Sequence, residues 1–276
     1  MGFHGMGIET VLRFAAFIIV FILVAVAEIR VPRRRLLLSK VRRWFTNLII
    51  VALNPLVVTL IFPIFPIGMA VLALDNSWGL LNFLSMPYWL KVTVGVVLLD
   101  LAVYTQHVLH HVIPVLWRLH MVHHADMEID VSTGLRFHPI EIIVSMAIKL
   151  SVVAALGVPP LAVLVFEVAL NTTSMFNHGN IRIPCRIDKV LRLLVVTPDM
   201  HRVHHSVNVD ETNSNYGFNL PWWDRLFGTY RAQPHKGHAE MMIGLASFRN
   251  PQKLTLPHLL IMPFVVHPKE RPNRDD

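Results

Sequence analysis

The apolar runs of this sequence limit it to structures that satisfy their own backbone hydrogen bonds. Phe14 to Ile29, Trp44 to Leu74, Tyr88 to Gln106 and two arms, Ile140 to Leu156 and Leu161 to Asn177, are rich in aliphatic residues and sparse in charge. In hydrocarbon an unpaired N–H or C=O has no water to turn to, and runs near ~20 residues have the length of a bilayer-crossing helix. Only 16% of the 276 residues are charged, against ~25% in an ordinary soluble domain. The mean hydropathy is +0.51. The expected fold class is therefore all-α: a multi-pass transmembrane helical bundle of about four spans, one of them a Pro-turned hairpin pair. It is read as a single integral membrane domain over residues 1–276.

The first run has the length of a signal peptide but lacks a small-residue cleavage site, and it leads into RVPRRRLLLSKVRR, a stop-transfer flank. Pro55, Pro63 and Pro66 are expected to kink or end the second span. GVPP turns the chain between the two arms, each short of a full crossing, so they read as a hairpin that dips deeply into the bilayer. Arg30, Arg33, Arg34, Arg35, Lys40, Arg42 and Arg43 crowd the first loop, whereas the second, from Asp75 to Pro87, has no Lys or Arg. Positive charge marks the cytoplasmic side, so the first loop, the end of the third span and both ends of the hairpin face the cytoplasm. The net charge of +7 has the same origin in membrane orientation and anionic headgroups, with no nucleic acid as partner. Residues 178–236 read as a polar cytoplasmic cap. TLPHLLIMPFVV is expected to lie on the membrane surface before the polar tail PKERPNRDD.

Histidine is the surplus residue: eleven of sixteen fall between His107 and His205. In YTQHVLHH, His107 and His111 lie four apart; WRLHMVHH sets His120, His123 and His124 at i, i+3 and i+4, and MHRVHH repeats this with His201, His204 and His205. Within each triplet the first and last share a helical face, while neighbours diverge by about 100°, so adjacent imidazoles can serve two different ions. Three spaced clusters on one side of a membrane point to metal. His178, in FNHGN, could complete a coordination sphere. His138, in RFHPIE, is a possible ligand, a support for one, or a substrate contact. His110 falls between better-placed partners and is not expected to bind metal. His4, His235, His238, His258 and His267 lack such company.

Carboxylates commonly orient ligating imidazoles from behind, and Asp100, Asp126, Glu141 and Asp199 lie near the clusters. Asp100 could equally cap a polar packing contact. A single cysteine, Cys185, excludes a cysteine-based site, and HExxH is absent. Imidazole suits zinc, copper, iron and nickel alike. The residues alone thus leave open a redox enzyme, a zinc-dependent lipid hydrolase and a metal-transporting membrane protein. Transport is disfavoured because the histidines sit at span ends rather than at the bilayer midplane.

HVLHH, HMVHH and HRVHH, in this order with one long apolar hairpin between the second and third, resemble the histidine boxes of the fatty acid hydroxylase superfamily, to which sterol desaturases belong. The resemblance covers residues 100–231, read as the catalytic region, and extends to RFHPIE, NHGN, TNSNYG and WWDRLFGTY. It implies a membrane oxidoreductase with two iron ions that uses dioxygen and two electrons to hydroxylate or desaturate a lipid, whether fatty acyl, sterol-like or ether lipid. The implied ligands are His107, His111, His120, His123, His124, His178, His201, His204 and His205. Val108 stands where the family often has Arg, and His110 where it is usually apolar. No HPGG cytochrome b5 segment is present, so a separate donor is implied, cytochrome b5-like or a ferredoxin with its reductase.

Overall fold

A computed structural model describes residues 4–265; the side chain of His4, His267 and the tail PKERPNRDD lie outside the described residues. The helices are α1 (His4–Arg30), α2 (Lys40–Ile61), α3 (Pro66–Asp75), the single turn α4 (Leu80–Phe83), α5 (Tyr88–Val112), α6 (Pro114–His124), α7 (Pro139–Leu156) and α8 (Pro160–Asn177). Short helices follow: α9 (Cys185–Leu191), α10 (Pro198–His204), α11 (Val209–Thr212), α12 (Trp222–Leu226) and α13 (Gly237–Glu240), then α14 (Leu256–Val265). The described residues contain isolated bridges but no β-strand.

Four segments are long and apolar enough to cross a membrane: Gly7–Arg30, Lys40–Phe83, Tyr88–Val112 and Pro139–Leu156. Their outer faces carry large exposed apolar side chains, among them Val11, Phe14, Leu23, Phe45 and Leu60, the surface that a lipid-facing helix presents. The three prolines of the second span act differently. Pro55 sits inside an unbroken α2, whereas the chain leaves the helix at Phe62, where the backbone is extended, and Pro66 opens α3. A proline at the first helical position forfeits no intrahelical bond, so Pro66 favours the new start.

The hairpin turn forms as GVPP predicts. Gly157 closes α7 in the left-handed region (φ 63°), and a Cβ there would lie 2.4 Å from the Trp78 carbonyl oxygen, so only glycine fits. Pro160 then opens α8. Around this turn Leu99, Val153, Val158, Val163 and Phe166 form one buried cluster, which joins α5 to the hairpin.

The arginine-rich first loop is tied to the rest of the chain by ion pairs. Arg33 bonds Asp199 at 3.0 Å, Lys40 reaches Glu28 at 3.1 Å, and Arg43 grips Asp126 (2.8 Å) and Asp130 (2.7 Å). These contacts strap the polar segments between and after the spans onto the helices. α14 packs on the neighbouring helices with one side only. Leu259 and Met262 are buried against Ile50, Trp117 and Met121, while Ile261, Phe264 and Val265 stay exposed. Its apolar face is thus used to cover α6, the helix that carries the second histidine cluster.

Candidate metal centre

The nine histidines implied by the family resemblance converge in two groups. His107, His111, His120, His124 and His204 form the first, and His123, His178, His201 and His205 the second; within each, the candidate ligand atoms lie within 4.8 Å of one another. Helical phase explains the sorting. His120 and His124, four apart on α6, go to the first group and His123 to the second; His201 and His205 go to the second and His204 to the first. The break at Ile113–Pro114 separates α5 from α6, so the end of α5 faces α6 instead of continuing into it. The ring centroids of His107 and His120 are thereby 4.9 Å apart.

The outward nitrogens fix the inward ones. His107 Nδ1 donates to the Tyr216 carbonyl, His178 Nδ1 to the Ser174 carbonyl and His204 Nδ1 to the Ser214 carbonyl, each at 2.7 Å. A carbonyl can only accept, so these rings carry the proton on Nδ1 and a bare lone pair on Nε2. His120 Nδ1 makes the same kind of bond to Glu141 Oε1 at 2.7 Å. Consequently the 3.1 Å approach of His107 Nε2 to His120 Nε2 brings two lone pairs together. His178 Nε2 meets the Nε2 atoms of His123, His201 and His205, each at 3.1 Å. In the first pair two acceptors cannot satisfy each other, and in the second group one Nε2 lone pair cannot serve three neighbours, whereas a shared cation satisfies all of them. Nitrogens ~2.0–2.1 Å from one ion and in adjacent positions lie about 3 Å apart, which matches.

Burial points the same way. Both ring nitrogens of His124 and Nε2 of His204 have no hydrogen-bond partner although they are enclosed. An unsatisfied buried polar group costs ~1–3 kcal/mol, and eight ring nitrogens of the two groups lack a partner, a cost hard to sustain without an ion. Desolvation holds His120, His123, His124, His201 and His205 well below the ordinary imidazole range and brings His178 and His204 to about 3. They are neutral at physiological pH, the form a metal takes. The donor set fits two ions of a metal that accepts imidazole, five nitrogens at one and four at the other.

The remaining candidates separate cleanly. His138 caps α7, with Nδ1 accepting from Ile140 N at 3.2 Å and Nε2 3.1 Å from the Leu260 carbonyl, and belongs to neither group. His110 also lies outside both, its Nδ1 donating to the Gln106 carbonyl at 2.7 Å. Of the four carboxylates, Glu141 alone touches a clustered imidazole among the bonds described. Asp100 accepts from Trp223 Nε1 at 2.8 Å, a polar packing contact between α5 and the cap. Burial works to raise Asp126, but Arg43 and Arg136 hold it well below the usual carboxylate range. Asp199 pairs with Arg33 and Arg202. Sequence reasoning missed Tyr216, Ser214 and Ser174, because their carbonyls carry the contact and any residue type supplies a carbonyl.

A cavity of about 300 Å³ opens against the first group. His107, His110, His120 and Glu141 line one end, and Leu99, Val103, Val152, Phe166 and Leu170 make an apolar wall. No histidine of the second group lines it.

The model of the fatty acid hydroxylase family matches residues 92–229, half of the chain. The chain is 31% identical to the ornithine lipid hydroxylase OlsE of Rhizobium tropici over 57% of its length and 46% of the relative's. It is 28% identical to human alkylglycerol monooxygenase over 58% of its length and 35% of the relative's. To cholesterol 25-hydroxylase of Rattus norvegicus it is 28% identical, over 52% and 48% respectively. It thus spans less than half the length of these curated relatives. No solved structure matches. With the family model covering the three histidine boxes, the hairpin and most of the segment 178–236, the chain belongs to the fatty acid hydroxylase family.

Proposed function

We propose that this chain is a membrane-embedded, dioxygen-dependent lipid hydroxylase whose nine histidines hold two iron ions on the cytoplasmic side. The observation that carries this reading is the juxtaposition of two histidine groups with an apolar cavity that reaches only one of them. Bound iron would supply the oxidation of an unactivated C–H bond, in which RH, dioxygen, two electrons and two protons give ROH and water. The protein's own residues then have three tasks. Tyr216, Ser174, Ser214 and Glu141 hold the imidazoles in the tautomer that faces inward. The cavity wall excludes water and aligns a hydrocarbon chain beside His107 and His120. The cap closes the centre from the aqueous side.

The relatives named above are a hydroxylase of ornithine lipid, a monooxygenase of alkylglycerol and a hydroxylase of cholesterol, which favours hydroxylation over desaturation and a lipid over a soluble substrate. They also weigh against a zinc hydrolase or a transporter. Electrons come, in this reading, from a separate cytochrome b5-like protein or a ferredoxin and its reductase.

The test is metal content by mass spectrometry on protein purified anaerobically, followed by dioxygen uptake and product analysis with lipids and a reductant. The expected result is two irons per chain and a lower iron content in a His123→Ala, His204→Ala double variant, which leaves three imidazoles in the second group and four in the first. Zinc alone, retained after anaerobic iron supplementation, would overturn the oxygenase reading.

A further inference from the structure

The cavity that touches His107 and His120 also touches Lys149. Lys149 lies on α7 eight residues beyond Glu141 (149 − 141), about 12 Å along the helix at a rise of ~1.5 Å per residue. Its ammonium is 3.1 Å from Glu167 Oε1 on α8, and the other oxygen of Glu167 is 3.0 Å from Arg13 Nη2 on α1. These ion pairs set two cations against one carboxylate within the apolar lengths of three helices. Glu141, the acid that lines the cavity itself, is already engaged by His120. The Glu167 side chain is 3% exposed and that of Lys149 20%, so Lys149 is the member of the pair with free surface. A positive charge left over in apolar surroundings is costly unless an anion meets it. Polar groups prepare the same wall: Gln106 Nε2 donates to Ser145 Oγ at 2.7 Å, one turn before Lys149.

We propose that Lys149 anchors the polar end of the substrate, and that the cavity takes an acyl or alkyl chain ending in an oxyanion, a carboxylate or a phosphate. The oxyanion sits on the Lys149 ammonium and the chain runs along Val152, Phe166 and Leu99 toward His107 and His120. The oxidised carbon is then remote from the charged end, at a position set by the Lys149-to-histidine distance. This inference rests on the hydroxylase reading only for which carbon reacts; the anchor itself is a binding site.

The experiment is equilibrium binding of radiolabelled palmitic acid, hexadecyl phosphate, methyl palmitate and 1-hexadecanol to the full chain in lipid nanodiscs. One or both anionic probes should bind at least about tenfold more tightly than the uncharged pair, in line with the cost of removing one member of a buried charge pair; the tighter anion names the headgroup. Lys149→Met should erase the preference, Lys149→Arg should retain it, and Glu167→Gln, which removes the competing carboxylate, should increase it. Affinity of both anions no greater than that of the uncharged pair, or a preference that survives Lys149→Met, overturns the anchor. If Lys149→Met does not fold, Glu167→Gln decides, and an unchanged or weaker preference overturns it. Lys149-dependent binding without oxygenated product would defeat the hydroxylase reading and leave the anchor. Oxygenated product formed equally from acid and ester, by wild type and Lys149→Met alike, would do the reverse.

Discussion

The two histidine groups differ in number, support and access. The first has five imidazoles, receives the cavity and is braced by Tyr216, Ser214 and the carboxylate of Glu141. The second has four, sits behind Phe137, which stacks on His123 at 4.5 Å, and has one bracing bond of this kind, from His178 to Ser174. In the proposed binuclear site the two positions are unequal: one faces the cavity, and the other lies behind Phe137. Four ligands leave the second group no spare, whereas the first has one in reserve.

The largest expected effect treats both groups alike. Arg43→Met would leave Asp126 and Asp130 without their shared cation, and breaking a buried pair by removing one partner costs ~3–5 kcal/mol. Because these acids order the segment between His124 and His138, thermal unfolding in detergent should show a large fall in Tm, with metal lost from both positions. A variant that unfolds normally but keeps one ion would show that the segment serves a single group.

Next come variants that separate the groups. His178→Ala should cost one of the two bound ions, and His111→Ala should cost less, because four imidazoles remain in the first group. Metal counting reads the difference, and equal losses would abolish the idea of a spare ligand. Glu141→Leu removes the brace on His120, and losing such a support typically weakens metal affinity or activity by ~10–100-fold. That loss should be confined to the first ion. Val152→Trp should block lipid turnover while both ions stay, since Val152 lines the cavity and touches no histidine group.

The last comparison is the effect of pH on the metal-free chain. His178 and His204 have folded-state values of about 3 against an ordinary 6.5, so neutral imidazole is favoured by folding. Their contribution to stability is complete above pH ~6.5 and is lost as pH falls toward about 3. Denaturant midpoints should therefore fall on acidification within that window, and His204→Asn should flatten its share. A midpoint that rises there would contradict the assigned burial.

Much of this was legible in the chain. Apolar length announced the helices, GVPP announced the hairpin turn, and i, i+3, i+4 spacing announced how adjacent histidines would be divided between two sites. These are local properties, set by helical phase and backbone geometry within a few residues. Roles that depend on what lies opposite were not legible: α2 continues through Pro55 and ends at Ile61, and one side of α14 covers Trp117.

What the sequence by itself determined is therefore the set of spans, the sorting of histidines by helical face and the family. Only the tertiary structure decided that carbonyls of Tyr216, Ser174 and Ser214 set the tautomers, that Arg43 is an internal clamp, and that the cavity meets the first group and Lys149. The physical reason is that backbone carbonyls carry no residue signature, and a cavity is the space left between side chains far apart in the chain.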